Sequence, residues 1–223
     1  GGYVIDPANS RDEPLDVAIS GGKIALVAPN IPTDTATQTV DVSGLYVTPG
    51  ILDIHTHVYP FRPGARIAVE GLHADAHLFA SGVTTTVDVG TTGWKHFLDF
   101  KENFIDRSRV RILALVNIAC GGMVEAESEQ TLKDLDPRMA AGLAQAFPEI
   151  IVGIKTAHYW TNKPWDELHP PWASVERAVE AGELCSKPVM VDFWPRLPER
   201  PYPDLLLEKL RPGDIHTHVF AQQ

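Results

Sequence analysis

Two histidines, His55 and His57, are the residues of this sequence whose type and spacing most clearly suggest chemistry. They follow the mostly apolar residues 51–54, which predict a strand buried on both faces and entered through the turn Pro49-Gly50. Because side chains alternate across a strand, both histidines point to the same side at its C-terminal end. Two imidazoles placed this way can hold one divalent metal ion. The simpler alternative is that one histidine caps the strand and the other is solvated.

Three more polar residues, Lys155, Asp192 and His218, end predicted strands further along the chain. Lys155 follows the apolar residues 150–154, so its amine is predicted to be partly buried, which lowers the pKa of a lysine. A neutral lysine amine can take up carbon dioxide as a carbamate, a carboxylate-like ligand able to bridge two metals. Alternatively, the stem of Lys155 packs while its ammonium group reaches solvent or pairs with Asp192.

The elements that must position these residues are strands that alternate with helices from residue 47 onward. Such alternation predicts a parallel sheet covered by helices. Six such units with polar residues at the strand ends favour an α/β TIM-type (β/α)8 barrel, and no Gly-rich phosphate loop follows any strand. Besides the first strand, the predicted strands are 83–89, 111–118, 150–155, 188–193 and 214–219, and the predicted helices are 68–81, 94–107, 137–147, 172–186 and 203–210.

Residues 1–47 predict a small separate β domain, and 48–223 the barrel. The expected short strands in the first part are 3–7, 15–19, 23–27 and 39–42, separated by Pro and Gly turns. A complete barrel takes about 250 residues, whereas 176 (223 − 47) follow residue 47. We therefore expect the N-terminal portion of a longer protein that lacks about two barrel units.

Composition narrows the classes of function. The chain has 223 residues, 44% of them hydrophobic, and a formal net charge of −10, which argues against a nucleic-acid or anionic-membrane surface. No apolar stretch approaches the ~20 residues of a membrane span. Cys120 and Cys185 make no disulfide framework and fit a reducing compartment such as the cytoplasm. The number of subunits is left open, a homo-oligomer among the alternatives.

The segment Thr48-Pro49-Gly50-Ile51-Leu52-Asp53-Ile54-His55-Thr56-His57 resembles the first-strand signature of the amidohydrolase superfamily. Gly82-Val83-Thr84-Thr85, Gly153-Ile154-Lys155 and Thr217-His218 fall in the same order as in that family, and the group most similar is the dihydroorotase-like amidohydrolase/deacetylase metallohydrolases. The resemblance implies a binuclear metal site, usually zinc, on a barrel with a side β-sandwich built from both chain ends.

The resemblance also implies roles for single residues. His55 and His57 would bind the more buried metal, carboxylated Lys155 would bridge the pair, and His218 would bind the second metal. A metal-bound hydroxide would then attack an amide or ester carbonyl. Where the family usually has a histidine at the end of the fifth strand, this chain has Asp192, either a carboxylate ligand or a non-ligating partner of Lys155 beside a single metal. The eighth-strand aspartate that serves the family as proton shuttle falls outside this sequence.

The function that follows is a metal-dependent hydrolase for an amide or ester bond of a small acyl compound, similar to a deacetylase or aminoacylase. One alternative is a cyclic amidohydrolase of the dihydroorotase or hydantoinase kind. A second is a non-catalytic relative that keeps the barrel as a scaffold, since a fold does not fix a function.

A proline-rich loop after the fifth strand carries the residues predicted to bind substrate. Arg196 and Arg200 can each offer a planar fork to a substrate carboxylate, and Trp194 can wall the pocket. The alternative is that both arginines form surface pairs with Glu199 and Asp204.

Other titratable residues are predicted to have no direct role. His73 and His77 are expected on a solvated helix face, because no Glu follows His73 as in metalloproteases. His216 is expected to pack below His218. Asp88 either supports the metal ligands or caps the segment that follows its strand.

Overall fold

The computed structural model describes residues 1–60, 71–157, 160 and 163–220. These divide into two compact units, Gly1–Ile51 and Leu52–Gln223. Within the described ranges, no helix has the length and apolar character needed to cross a bilayer.

The first unit is built on a four-stranded sheet in the order β3-β2-β1-β4. Strands β1 and β2 pair antiparallel, as do β2 and β3, whereas β1 and β4 pair parallel. The turn between β2 and β3 is made by Gly21 and Gly22, both at positive φ, which glycine adopts without steric cost. The strands are β1 (Gly2–Asp6), β2 (Arg11–Ser20), β3 (Lys23–Ala28) and β4 (Tyr46–Val47).

Three predicted strands of this unit are confirmed, but the one predicted at residues 39–42 is wrong. These residues lie in no strand, and Tyr46-Val47 pairs with β1 instead. The Asp41 carboxylate accepts hydrogen bonds from the backbone and hydroxyl of Ser43, and the carbonyl of Val42 accepts from Leu45. Local bonds of this kind stabilise a turn at the expense of a sheet ladder.

The second unit is built on a six-stranded sheet in the order β10-β9-β8-β7-β6-β5, so spatial order follows chain order. The pairs from β6 to β10 are all parallel. The predicted class, a parallel α/β sheet of six units of a TIM-type barrel, is confirmed. Its strands are β5 (Ile51–Thr56), β6 (Val83–Val89), β7 (Arg111–Asn117), β8 (Ile151–Thr156), β9 (Val189–Asp192) and β10 (Ile215–Thr217).

Two of the predicted helices form nearly as expected. Helix α3 (Pro137–Ala146) begins at Asp136, whose carboxylate accepts from the second and third backbone N–H groups, with proline at the first helical position. Helix α4 (Ala173–Cys185) ends at Ser186, which takes a left-handed conformation.

The other predicted helices are shorter or irregular. They form as α1 (Ala74–His77), α2 (Phe97–Phe100) and α5 (Tyr202–Asp204), and the last two continue as π-helical turns, Lys101–Ile105 and Leu205–Lys209. A 3-10 turn, Phe79–Ser81, follows α1, and two more, Gly122–Gln130 and Leu132–Asp134, follow β7. The predicted helix start at residue 68 lies outside the described residues.

Apolar side chains of the second unit form two separate clusters. The larger one contains residues of the strands and of α3 and α4, such as Ile154, Val175 and Ala178. The smaller one is formed by Val87, Val89, Leu115 and Met190 from β6, β7 and β9. The two clusters show that the strands bury apolar side chains on two faces, as parallel sheets require.

The prediction that the first barrel strand is buried on both faces is wrong for this chain. Ile51, Leu52 and Ile54 of β5 are 53%, 57% and 52% exposed. Strand β5 stands at one end of the sheet order, so its backbone is paired along one edge, and the exposure of these side chains shows that its faces are largely uncovered. Thr56, by contrast, is buried.

Asp214 connects the two last strands of the sheet. Its carboxylate accepts hydrogen bonds from the backbone N–H of Val189 at the start of β9 and from the backbone and guanidinium of Arg211. Burial acts to raise the pKa of Asp214, but the bonds from Arg211 and Val189 outweigh it and the pKa lies below its usual value. The native state therefore holds this group as a carboxylate.

We expect Asp214→Ala to lower the unfolding free energy by about 2–3 kcal/mol, because it leaves the partly buried Arg211 and a strand N–H without their acceptor. Asp106→Ala, which removes an exposed pair with Lys101, should cost about 0–1 kcal/mol. Urea denaturation measures both. Since the folded pKa is depressed, the contribution of Asp214 should be complete above pH ~4 and be lost as the pH falls through the folded pKa. Equal losses for the two variants would contradict this.

Candidate active site

Three histidine rings meet at the C-terminal ends of the strands. His55 and His57, at and just after the end of β5, contact edge to face with ring centroids 5.7 Å apart. The ring of His218, just after β10, stacks on His55 at 4.8 Å. Strands β5 and β10 are the two ends of the sheet order, so the sheet must curl for these rings to touch. The structure thus brings the rings of His55, His57 and His218 together, and their role with Lys155 in one metal site stays a prediction.

Both His55 and His57 have a threonine hydroxyl at the Nδ1 atom of the ring. Nδ1 of His55 lies 2.8 Å from Oγ1 of Thr217 on β10, and Nδ1 of His57 lies 2.7 Å from Oγ1 of Thr91, which follows β6. A hydrogen bond at one ring nitrogen fixes the orientation of an imidazole and determines which nitrogen can bind a metal.

Lys155 lies within β8 and is 1% exposed, as its apolar surroundings predict. Its Nζ atom contacts Sδ of Met190 at 3.7 Å. Burial lowers the pKa of Lys155 to about 8, although the negative charges of Asp192, Glu129 and Asp88 act in the opposite direction. The amine is thus far easier to deprotonate than an exposed lysine.

Asp192 and His218 form a direct pair. Oδ1 of Asp192 lies 3.0 Å from Nδ1 of His218, and the aspartate is 7% exposed at the end of β9. Burial lowers the pKa of His55 to about 4, and the positive charges of Lys155 and His218 contribute to the shift. His55 is therefore neutral at pH 7, the form in which a histidine can ligate a metal.

Several neighbours of Lys155 were not singled out from the sequence. Glu129 is 1% exposed and accepts a hydrogen bond from Nδ2 of Asn117, the residue paired with Lys155 across β7 and β8. Gly90 has φ +79°, and a Cβ there would lie 2.5 Å from Cγ of Lys155. Gly90 thus leaves the space for the lysine stem, and its position directly after a buried strand was the available signal.

The donor side chains do not form a ready metal cage. Throughout ranges 1–60, 71–157, 160 and 163–220, no three or more His, Cys, Asp or Glu side chains are grouped so that they could hold an ion. The chemistry of the set nevertheless suits a divalent metal, because it combines imidazoles with a carboxylate and an easily deprotonated amine. The pair between Asp192 and His218 engages one donor atom of each.

The residues predicted to bind substrate lie in a loop that is tied to the segment after β8. The guanidinium of Arg196 donates to the carbonyls of Trp160 and Lys163 and stacks over Trp165 at 4.0 Å. Arg200 is fully buried and also lies over Trp165, at 5.1 Å, while Trp194 is 39% exposed. Their role in substrate binding stays a prediction.

The four residues predicted to have no direct role are either exposed or bonded to neighbouring side chains. His73 and His77 are exposed on α1 and the residue before it. Nδ1 of His216 lies 3.1 Å from the hydroxyl of Tyr202. Asp88 accepts from both the backbone and the hydroxyl of Thr91, so it caps the segment after β6 and reaches His57 through that hydroxyl.

The sequence and the structure were compared with those of known proteins. No protein-family model matches the sequence. A deacetylase of Agrobacterium fabrum is 31% identical over 212 residues, which are 92% of this chain and 48% of that protein. A dihydroorotase of Streptococcus pyogenes is 42% identical over 86 residues, 39% of this chain and 19% of that protein. The crystal structure of a dihydroorotase matches with a TM-score of 0.73 at 28% identity, over 96% of this chain and 55% of that one.

The fold and site define a partial α/β barrel with its polar residues at the C-terminal ends of the strands. The predicted resemblance to the amidohydrolase superfamily, in its dihydroorotase-like branch, is confirmed by these relatives. The chain spans about half the length of the deacetylases it matches.

We expect Lys155→Met to raise the unfolding free energy at pH 7, because it removes the cost of burying an ammonium group. The folded pKa of about 8 is below the ordinary 10.5, so the unfolded chain binds more protons between these values and wild-type stability should rise with pH there. The difference in unfolding free energy between Lys155→Met and wild type should shrink by about 3 kcal/mol between these two pH values. Urea titrations in buffers depleted of carbon dioxide would measure it, and a constant difference from pH 7 to 10.5 would contradict it.

Proposed function

We propose that the whole protein is a metal-dependent amidohydrolase that cleaves an amide or ester bond of a small acyl compound. The observation that carries this proposal is the meeting of His55, His57 and His218 beside the buried amine of Lys155. The resemblance to relatives named deacetylase supports the acyl substrate class. A second candidate, ring opening of a cyclic amide, is supported by the relatives named dihydroorotase.

We assign the metal to the donors of this cluster. His55 and His57 would hold the ion, with His218 and Asp192 nearby and carboxylated Lys155 as a bridge to a second ion, most simply zinc in both positions. When bound, the metal supplies a Lewis acid and an activated water. Because the donors are not grouped as a cage, loading would include a shift of His218 or Asp192 away from their mutual hydrogen bond.

The chain's own residues would prepare this chemistry in two ways. Burial keeps His55 neutral at pH 7, so its ring offers a lone pair. The amine of Lys155, with a pKa of about 8, is still mostly protonated at pH 7 but can lose its proton at a cost of only about 1–2 kcal/mol. The charges of Asp192, Glu129 and Asp88 remain close to the lysine and would compensate the positive charge of an incoming ion.

We expect the 223-residue chain to take up zinc and His57→Asn to reduce its affinity at least tenfold, since loss of one ligand removes both affinity and geometry. Competition with a chromophoric chelator measures the affinity, and elemental analysis gives the number of ions per chain. His73→Asn is the matched control, because His73 is exposed outside the cluster. If both variants bound zinc like wild type, the metal would lie elsewhere.

A second assay distinguishes the two substrate classes. The rates at which the full-length protein hydrolyses N-acetyl amino acids and dihydroorotate would be compared.

Lys155→Ala should lose metal-dependent hydrolysis, and short carboxylates such as acetate or propionate should restore part of it by standing in for the carbamate. Rescue should fail for Lys155→Met, whose side chain fills the space. The rates with and without added acid measure the effect. Full activity of the unrescued alanine variant would exclude the bridging role.

A further inference from the structure

We propose that Asp88 and Thr91 are positioning residues that hold the proton of His57 on Nδ1 and so leave the lone pair on Nε2 for the metal. The role of this arrangement in metal binding rests on the proposed function. The arrangement itself is a chain of hydrogen bonds from a buried carboxylate through a hydroxyl to an imidazole.

The first link is the carboxylate of Asp88, which is 1% exposed. Its Oδ1 atom accepts from the backbone N–H of Thr91 at 3.1 Å. Its Oδ2 atom accepts from the backbone N–H groups of Val58 at 2.8 Å and Tyr59 at 3.3 Å. Amide N–H groups can only donate, so three of the contacts of Asp88 require it to accept.

The second link is the hydroxyl of Thr91, which is fully buried and therefore shielded from water. Its Oγ1 atom lies 2.9 Å from Oδ2 of Asp88 and 2.7 Å from Nδ1 of His57. A hydroxyl has a single hydrogen to donate, and an ionised carboxylate can only accept. With Asp88 ionised, the hydrogen of Thr91 goes to Asp88, and the oxygen of Thr91 accepts from the ring.

The third link follows from the second. Nδ1 of His57 has to carry a hydrogen to donate to Thr91, and the neutral ring then has its lone pair on Nε2. Direct carboxylate–histidine–metal triads work in the same way, with the carboxylate on the imidazole itself. Here a threonine is inserted between them, which keeps the charge of Asp88 one residue away from the ring.

A reversed chain is the competing arrangement. Burial favours the neutral acid and raises the pKa of Asp88, although its four hydrogen bonds act against this. A protonated Oδ2 could donate to Thr91, which would then donate to Nδ1 of His57 and place the ring hydrogen on Nε2. This second tautomer could not offer Nε2 to a metal, so the direction of the chain decides whether the site is prepared.

The test measures the tautomer without metal. Long-range ¹H–¹⁵N spectra of the metal-free 223-residue chain, labelled on histidine, distinguish protonated from unprotonated ring nitrogens, and His57→Asn identifies the signals. We expect the wild-type ring of His57 to carry its hydrogen on Nδ1. A wild-type hydrogen on Nε2 would overturn the proposal.

Four variants isolate the links. Thr91→Val removes the hydroxyl at similar volume and should give a mixture of tautomers and zinc affinity about 10–100-fold weaker, whereas Thr91→Ser should restore both. Asp88→Asn can donate to Thr91 and should shift the ring towards the other tautomer even if Thr91→Val does not fold. Thr86→Val is the matched control, because it removes a buried hydroxyl that bonds the hydroxyl of Thr56 and the backbone carbonyl of Asp53. Changes in Thr91→Val no larger than in Thr86→Val would also overturn the proposal.

The metal site and the positioning role of Asp88 and Thr91 are distinguished by different outcomes. If the wild-type tautomer and its response to Thr91→Val are as expected but the chain binds no zinc, the proposed function is wrong and the hydrogen-bond chain remains. If zinc binds at His57 while the tautomer is unaffected by Thr91 and Asp88, the metal site remains and the positioning role is wrong.

Discussion

Burying the amine of Lys155 is the constraint on which the polar interior of this sheet depends. An isolated ammonium group in an apolar interior is strongly unfavourable, and so is an isolated carboxylate. The structure buries Lys155 together with Asp192, Glu129 and Asp88, each less than a tenth exposed. Their negative charges offset only part of the cost of burying the ammonium group, so removing one of the carboxylates would make the buried lysine still less favourable.

The position of this set relative to the smaller apolar cluster explains why its charges interact strongly. The Nζ atom of Lys155 touches Met190, which belongs to that cluster with Val87, Val89 and Leu115. An apolar neighbourhood lowers the local dielectric and strengthens both charge interactions and hydrogen bonds above it. The smaller apolar cluster therefore has two effects. It destabilises the ammonium group of Lys155, and it strengthens the hydrogen bonds by which nearby carboxylates and hydroxyls orient their neighbours.

The features that could be predicted from the sequence are those that depend on a local pattern of residues. The strand with His55 and His57, the buried Lys155 and the six parallel strands could all be predicted, because periodicity and strand-end position depend on local pattern. The capped helix α3 was predictable for the same reason.

The remaining features depend on contacts between distant segments. Nothing in the sequence marks Thr91 and Thr217 as partners of these histidines. The pairing of β6 with β5 brings the hydroxyl of Thr91 to His57, and the curl of the sheet brings that of Thr217 to His55. Glu129 is one of several acids in a polar segment, and nothing local distinguishes the buried one. The exposure of β5 was missed because an apolar run does not reveal which faces have neighbours.

Arg196, in the loop after β9, would have to give up existing contacts before it could bind a substrate carboxylate. The guanidinium of Arg196 already donates to two backbone carbonyls and stacks on Trp165. Hydrogen bonds to a charged group are worth about 1.5–3 kcal/mol each, and a cation–π contact adds about 0.5–2 kcal/mol. A substrate carboxylate could therefore recruit Arg196 only through a bidentate pair that replaces both carbonyls. Without such an exchange, Arg196 holds the loops after β8 and β9 together through its bonds to the carbonyls of Trp160 and Lys163.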